Sequence, residues 1–223
     1  VFSSTSTYTN PLKAVEFFKK TGCDALAISY GTMHGASKGK DVKLRKEIAI
    51  AIKECMMHEN LFGVLVSHGS STVPKYIVDE INALGGNIQN AYGISIDELK
   101  AAIPCGIGKI NVDTDIRLAV TRNMKEFFKN NPSKRDSASI GGVYQLLEEK
   151  KDQFDPRAFL PPIMDTVMYG TIKDDDTAAL VEVIEKGVKE AIGTLIVEFG
   201  SFGKAPLVEQ ISLEEMIERY KKM

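Results

Sequence analysis

The sequence predicts an α/β fold built around a parallel sheet. Three observations carry that reading: amphipathic segments lead repeatedly into short apolar runs, the runs are almost continuously apolar, and each run ends in Gly, Ser, His or Asn. Such a sheet is either covered by helices on both faces or closed into a barrel, and periodicity does not choose between the two.

The elements follow in order. Residues 11 to 22, PLKAVEFFKKTG, have Pro at the helix start, Asn10 as N-cap, apolar residues at 12, 15 and 18 and a terminal Gly. DALAISYG then reads as a buried strand. Residues 43 to 60 are helical by the spacing of 48, 52, 55 and 56, and FGVLVSHG at 62 to 69 is a second strand. STVPKYIVDEINALGG gives a third helix, NIQNAYG at 87 to 93 a weaker strand, SIDELKAAIPCG a short helix capped by Ser95, and GIGKINV at 106 to 112 a fourth strand. A longer helix runs from Asp113 to Asn130.

After Asn131 the pattern changes. NPSKRDSAS is a polar linker, and helical segments are expected at 139 to 153, 156 to 169 and 174 to 193. TLIVEFG at 194 to 200 reads as a strand or as the last turn of a helix. The chain closes with an amphipathic helix carrying Leu213, Met216, Ile217 and Tyr220 on one face. The expected organisation is one domain over 1–200 with its terminal helices, followed by a tail at 201–223.

The 223 residues, 43% of them hydrophobic, suffice for one sizeable core. Lys and Arg number 28 against 30 Asp and Glu, so the net charge of −2 gives no electrostatic reason to expect nucleic acid or an anionic membrane. No run approaches the ~20 apolar residues of a membrane span. Cys23, Cys55 and Cys105 form no CxxC pair and their odd number cannot close into a complete disulfide set, which fits a reducing cytoplasm. Small molecules and other subunits are the expected partners.

In parallel α/β folds ligands sit at the carboxyl ends of the strands. Here those ends read GTMHGASK, SHGSS, AYGIS and NVDTDIR. His34 and His68 occupy equivalent positions one strand end apart, each followed by glycine. Alone, either is a hydrogen-bonded loop histidine. Together they form a metal-ligand pair, because neighbouring strands ~4.8 Å apart bring two imidazoles onto one ion. His58 precedes its strand and falls on the opposite end.

Gly35 and Gly69 let backbone N–H groups approach a ligand, with Lys38, Ser70 and Ser71 adding a charge and hydroxyls, which suits a phosphate. Glycines in tight strand-to-helix turns would look the same. Asn111, Asp113 and Thr114 begin a helix, where one of them is expected to cap it. Asp113 would accept from substrate hydroxyls and Thr114 donate to phosphate oxygen. Arg117, one turn on, is either a second anion contact or a solvated helix-face arginine.

With YGTMHGASKG, LVSHGSSTVP, GIGKINVDTDIRLA and EFGSFGKA in this order, the chain resembles the class II, metal-dependent fructose-bisphosphate aldolases from about Ser4 to Lys204. The resemblance implies a (β/α)8 TIM barrel that binds Zn²⁺ and reversibly cleaves fructose 1,6-bisphosphate to dihydroxyacetone phosphate and glyceraldehyde 3-phosphate. A monovalent cation, Na⁺ or K⁺, and a homo-oligomer, dimer or tetramer, are further expectations. Under it, His34 and His68 fall on two zinc ligands, while Gly35, Lys38, Gly69 and Ser71 surround the dihydroxyacetone phosphate group. Asn111, Asp113 and Thr114 match the substrate-binding strand end, and Arg117 falls where the other phosphate is expected. Zinc would polarise the ketone as a Lewis acid.

The family's remaining zinc histidine and the adjacent acid/base aspartate have no match, since no Asp-His pair occurs in the sequence. Both are expected upstream of Val1, so no catalytic acid/base is assigned within these residues. The glutamate-bearing loop is also unmatched, and four strands are predicted where a barrel needs eight. The expectation is therefore the second half of a barrel plus C-terminal helices, with Val1 falling partway through a parent enzyme. The missing N-terminal part of the barrel would be its partner. Two alternatives accompany this reading: a tagatose-1,6-bisphosphate aldolase, and a non-catalytic sugar-phosphate-binding or assembly fragment.

Overall fold

The computed structural model describes residues 8–32 and 41–222. The elements are α1 (Pro11–Thr21), β1 (Ala25–Ile28), α2 (Lys46–His58), β2 (Val64–Ser67), α3 (Lys75–Ala83), α4 (Ile96–Ala102), β3 (Ile107–Ile110), α5 (Thr114–Asn130), α6 (Gly141–Glu149), α7 (Met164–Tyr169), α8 (Asp175–Glu198) and α9 (Leu213–Lys221). The three strands form one parallel sheet in the order β1-β2-β3. Ala25 pairs with Val64 and Ile28 with Ser67, while Leu65 pairs with Ile107 and Val66 with Lys109 across a bulge.

Burial distinguishes the two faces of the sheet, although Val66 is buried on the second face as well. Ile28, Tyr30, Leu65, Ser67 and Ile107 are buried, whereas Ala25, Ala27, Val64 and Lys109 are exposed. The buried face packs against Phe18 of α1, Ile52 and Met56 of α2 and Leu99 of α4. Full burial of such a side chain contributes roughly 1.5–3 kcal/mol. Among the described residues the opposite face is open apart from the buried Val66.

The helix ends follow local chemistry. Asn10 Oδ1 accepts from Leu12 N and Lys13 N at 3.0 and 3.2 Å, and Ser95 Oγ accepts from Glu98 N at 3.3 Å. A second core gathers Val120, Met124 and Phe128 of α5 with Val143, Leu147, Phe159 and Leu180. A third joins Ile77 and Ile81 of α3 to Leu118 and Ala191. Helices α5 and α8 approach closely at Gly187, where a Cβ would stand 3.0 Å from the Ala119 backbone. Arg122 of α5 clamps the helix layer by donating to Glu80 on α3 at 2.8 Å and Glu190 on α8 at 2.5 Å.

Two sequence expectations are corrected, and one open alternative resolves to its helical reading. Residues 87–93 are a loop with an isolated bridge at Tyr92, so β2 pairs directly with β3. The reason is local: Asn82 Oδ1 accepts from Ile88 N at 2.7 Å and Asn82 Nδ2 donates to Ile88 O at 3.0 Å, taking both backbone groups that a ladder would use. The segment 156–169 is broken into 3-10 turns at Pro156–Ala158 and Pro161–Ile163 before α7, because its prolines lack the N–H a helix interior needs. Residues 194–198 continue α8. No helix among the described residues is long and apolar enough to cross a membrane.

Helix α9 is capped by Ser212, whose Oγ accepts from Glu215 N at 3.1 Å. Its Tyr220 hydroxyl donates to Asp24 Oδ2 at 3.0 Å, beside the start of β1. Leu213, Met216, Ile217 and Tyr220 are exposed.

Candidate functional site at the strand ends

Parallel pairing carries past the last strand residues. Asn111 N donates to Ser67 O at 2.9 Å and Ser70 N to Asn111 O at 3.3 Å, so the positions following Ser67 and Ile110 are held side by side. Because side chains alternate, His68 and Asn111 then stand together on the open face. Their side-chain nitrogens, His68 Nε2 and Asn111 Nδ2, are 3.1 Å apart.

That contact fixes the imidazole tautomer. Lys109 Nζ donates to Asn111 Oδ1, which turns the amide N–H toward His68. An amide nitrogen only donates, so Nε2 accepts and the ring proton sits on Nδ1. A Zn²⁺ ion takes an unprotonated imidazole nitrogen, so binding at Nε2 would exchange the Asn111 contact for the metal. His68, exposed at its strand end, fits one position of a metal site on that exchange. His34, Gly35 and Lys38 lie outside the described residues, and among the described ones no group of three His, Cys, Asp or Glu gathers as a metal centre. Val1, upstream of which the acid/base aspartate is expected, also lies outside the described residues, the first of which is Tyr8.

The turn after His68 needs Gly69, whose φ of 63° lies in the left-handed region. The two serines that follow play different parts. Ser70 is fully buried, with its hydroxyl 2.6 Å from Ser67 Oγ and its N–H on Asn111 O. Ser71 Oγ accepts from Asp113 N at 3.2 Å and Thr114 N at 3.0 Å, leaving the hydroxyl proton to donate. It thereby caps α5 from the neighbouring strand end, a role the sequence assigns within Asn111, Asp113 and Thr114. Asp113 occupies the cap position, but its side chain makes no cap hydrogen bond.

Asp113 instead accepts from Arg117 Nε at 2.8 Å. Arg117 also donates to Asp155, which Arg157 contacts at 2.6 Å. The Arg157 guanidinium, with Arg117 beside it, holds the Asp155 carboxyl below its ordinary range. Arg117 is thus not a solvated surface side chain. It is an ion-paired guanidinium a quarter exposed, sharing Asp155 with Arg157, while Lys109 donates to Asn111.

Sequence reasoning misses Asp115, yet this residue locks the β2 exit to the β3 exit. Only 3% exposed, it accepts from Thr72 N at 3.0 Å, Thr72 Oγ1 at 2.7 Å and Val73 N at 2.8 Å. This clamp holds Val73 at φ 50°, an unusual backbone conformation for a β-branched residue. With Ser71 reaching one way and Asp115 the other, the loops bearing His68 and Asp113 are cross-tied. An acid near a helix start reads in sequence as a dipole partner, which masks this role.

A cleft of about 900 Å³ lies next to the site, lined by Thr72, Val73, Tyr76, Tyr92, Asp115 and Leu195 among others. Neither His68 nor Asn111 lines it. The reason is geometric: that pair stands on the open sheet face, where no opposing wall among the described residues makes a concavity.

Known proteins share this sequence and fold. A family model described as "Fructose-bisphosphate aldolase class-II" matches residues 1–204. The chain is 33% identical over 212 residues to the fructose-bisphosphate aldolase of Xanthobacter flavus, covering 95% of this chain and 49% of the relative. It is 35% identical over 214 residues to the enzyme so named in Giardia intestinalis, covering 96% and 53%. The chain thus spans about half the length of the curated relatives it matches. The crystal structure of fructose-bisphosphate aldolase from Campylobacter jejuni shares the fold, with a TM-score of 0.52 and 18% identity over 88% of this chain and 45% of that one.

Proposed function

From the premise that the chain belongs to the class II fructose-bisphosphate aldolase family, we propose that its strand ends form part of a zinc-dependent site for aldol cleavage of fructose 1,6-bisphosphate. The products are dihydroxyacetone phosphate and glyceraldehyde 3-phosphate. The observation that carries the reading is the meeting of His68 Nε2 and Asn111 at adjacent strand ends, beside the Arg117–Asp113 ion pair.

In this reading His34 and His68 hold Zn²⁺, which when bound polarises the ketone oxygen and stabilises the charge that develops there. Gly35, Lys38 and Gly69 receive one phosphate, and Ser71 donates its remaining hydroxyl proton to it. Ser70 acts from below by holding the turn. Asn111 and Asp113 orient the sugar hydroxyls, Thr114 supports the phosphate end, and Arg117 meets the second phosphate when the Asp113 contact is exchanged for it. Cleavage of the C3–C4 bond removes a proton from the C4 hydroxyl, leaves the electron pair on the C3 fragment and releases the aldehyde. The proton acceptor in this reading is the aspartate of the family's Asp-His pair, which does not occur among these residues.

The same reading treats the three strands as a sector of a (β/α)8 barrel, which would cover the sheet face now open. It includes a homo-oligomer in the cytoplasm and an N-terminal barrel portion as partner. The protein, purified without chelator, is assayed for triose phosphate release from fructose 1,6-bisphosphate and, in parallel, from tagatose 1,6-bisphosphate. The proposal predicts chelator-sensitive activity that zinc restores and that favours the fructose isomer. Stoichiometric metal absent and activity unchanged in His34→Ala would refute it.

A further inference from the structure

We propose that Tyr30 is a positioning residue for His68, acting through a buried chain of hydroxyl groups; this rests on the reading of His68 as a metal ligand. Tyr30 and Ser67 are each 0% exposed, on the helix-covered side of the sheet. The Tyr30 hydroxyl lies 2.5 Å from Ser67 Oγ, Ser67 Oγ lies 2.6 Å from Ser70 Oγ, and Ser70 Oγ lies 3.4 Å from the His68 carbonyl.

Proton counting gives this chain a direction. A carbonyl only accepts, so Ser70 donates to His68 O and must itself accept from Ser67. Ser67 has then spent its proton and accepts from Tyr30. Burial pushes the Tyr30 phenol above its ordinary value, so it is protonated and able to donate at neutral pH. Each hydroxyl donates once, and successive bonds in such a chain polarise one another.

The chain complements the backbone tethers. Asn111 holds the turn through Ser67 O and Ser70 N, on the edge facing β3. Tyr30 reaches it from β1's side, beneath the sheet, where the imidazole is not. An apolar residue at 67 would fill the same space against Leu65 and Ile28 without defining where the turn leaves the strand. Three satisfied hydroxyls fix that exit point, which is what a metal ligand on a left-handed glycine turn requires.

The test is Tyr30→Phe, which keeps the ring and removes one oxygen, alongside Ser67→Ala and the double variant, in the full chain. Two quantities are measured: amide hydrogen exchange at 68–70 in metal-free protein, and zinc affinity by competition with a chromogenic chelator. The expected result is exchange about 10-fold faster at those amides, no change in β1 and α5, and zinc bound roughly 10-fold more weakly. Because Tyr30 acts through Ser67, the double variant should be no worse than the poorer single one. Unchanged exchange at 68–70 in both single variants, or additive effects in the double, overturns the proposal. If the parent protein takes up no zinc but exchange responds as expected, the tether stands and the proposed function alone fails.

Discussion

Replacing Asp115 with Ala tests the cross-tie between the two loops that bear the candidate site. The carboxylate accepts three hydrogen bonds, from Thr72 N, Thr72 Oγ1 and Val73 N, in a position 3% exposed. Hydrogen bonds to a charged group contribute about 1.5–3 kcal/mol each, which sets a ceiling near 9 kcal/mol. Two effects lower it. The three bonds share one carboxylate and are not additive. Opening the turn also releases the left-handed strain of Val73, about 1–2 kcal/mol. The expected loss is therefore about 3 kcal/mol, and Asp115→Asn, which keeps an acceptor oxygen, should lose roughly half of that. Urea denaturation followed by circular dichroism measures it, with the slope required to stay constant. A loss under about 1 kcal/mol for Asp115→Ala would refute the clamp.

Glu98 links acid stability to the sheet–helix layer. Lys46 and the Leu44 N–H hold its carboxyl down from 4.5 to about 2. A depressed folded-state pKa stabilises fully above 4.5 and the contribution is lost as pH falls toward 2, so Glu98→Gln should flatten that part of a denaturation-versus-pH profile. A profile unchanged below pH 5 would contradict this. Gly187→Ala should cost about 1–3 kcal/mol in urea melts, since its Cβ would press on the Ala119 and Val120 backbone; a neutral result would mean that α5 and α8 slide apart freely. Arg117→Met should raise the KM for fructose 1,6-bisphosphate about 10-fold or more if the guanidinium meets a phosphate, and an unchanged KM would remove Arg117 from the substrate site.

Much of this arrangement is legible in the sequence because chain-local chemistry decides it. Asn10, Ser95 and Gly22 mark their helix ends directly, and the apolar runs at 25–28, 64–67 and 107–110 are the strands. The place of His68 directly after a strand is readable in the same way. What is not readable depends on side-chain partners that no periodicity registers. NIQNAYG looks like a strand until Asn82 takes both backbone groups of Ile88. Ser71 as the cap of α5 and Asp115 as the anchor of Thr72 and Val73 span more than forty residues, and no periodicity encodes them. Tyr30 and Ser67 leave one faint signal, polar residues at the ends of buried strands. Asp155 leaves another, an acid before Pro that reads as a turn and also holds Arg117.

The proposed metal-dependent sugar-phosphate site at these strand ends turns on His68. The most direct measurement is zinc content and fructose 1,6-bisphosphate cleavage on one preparation of the protein and of His68→Ala, each purified without chelator. The expected result is about one zinc per chain with cleavage in the parent protein, and both lost together in the variant. Equal metal content and equal cleavage in the two would contradict it.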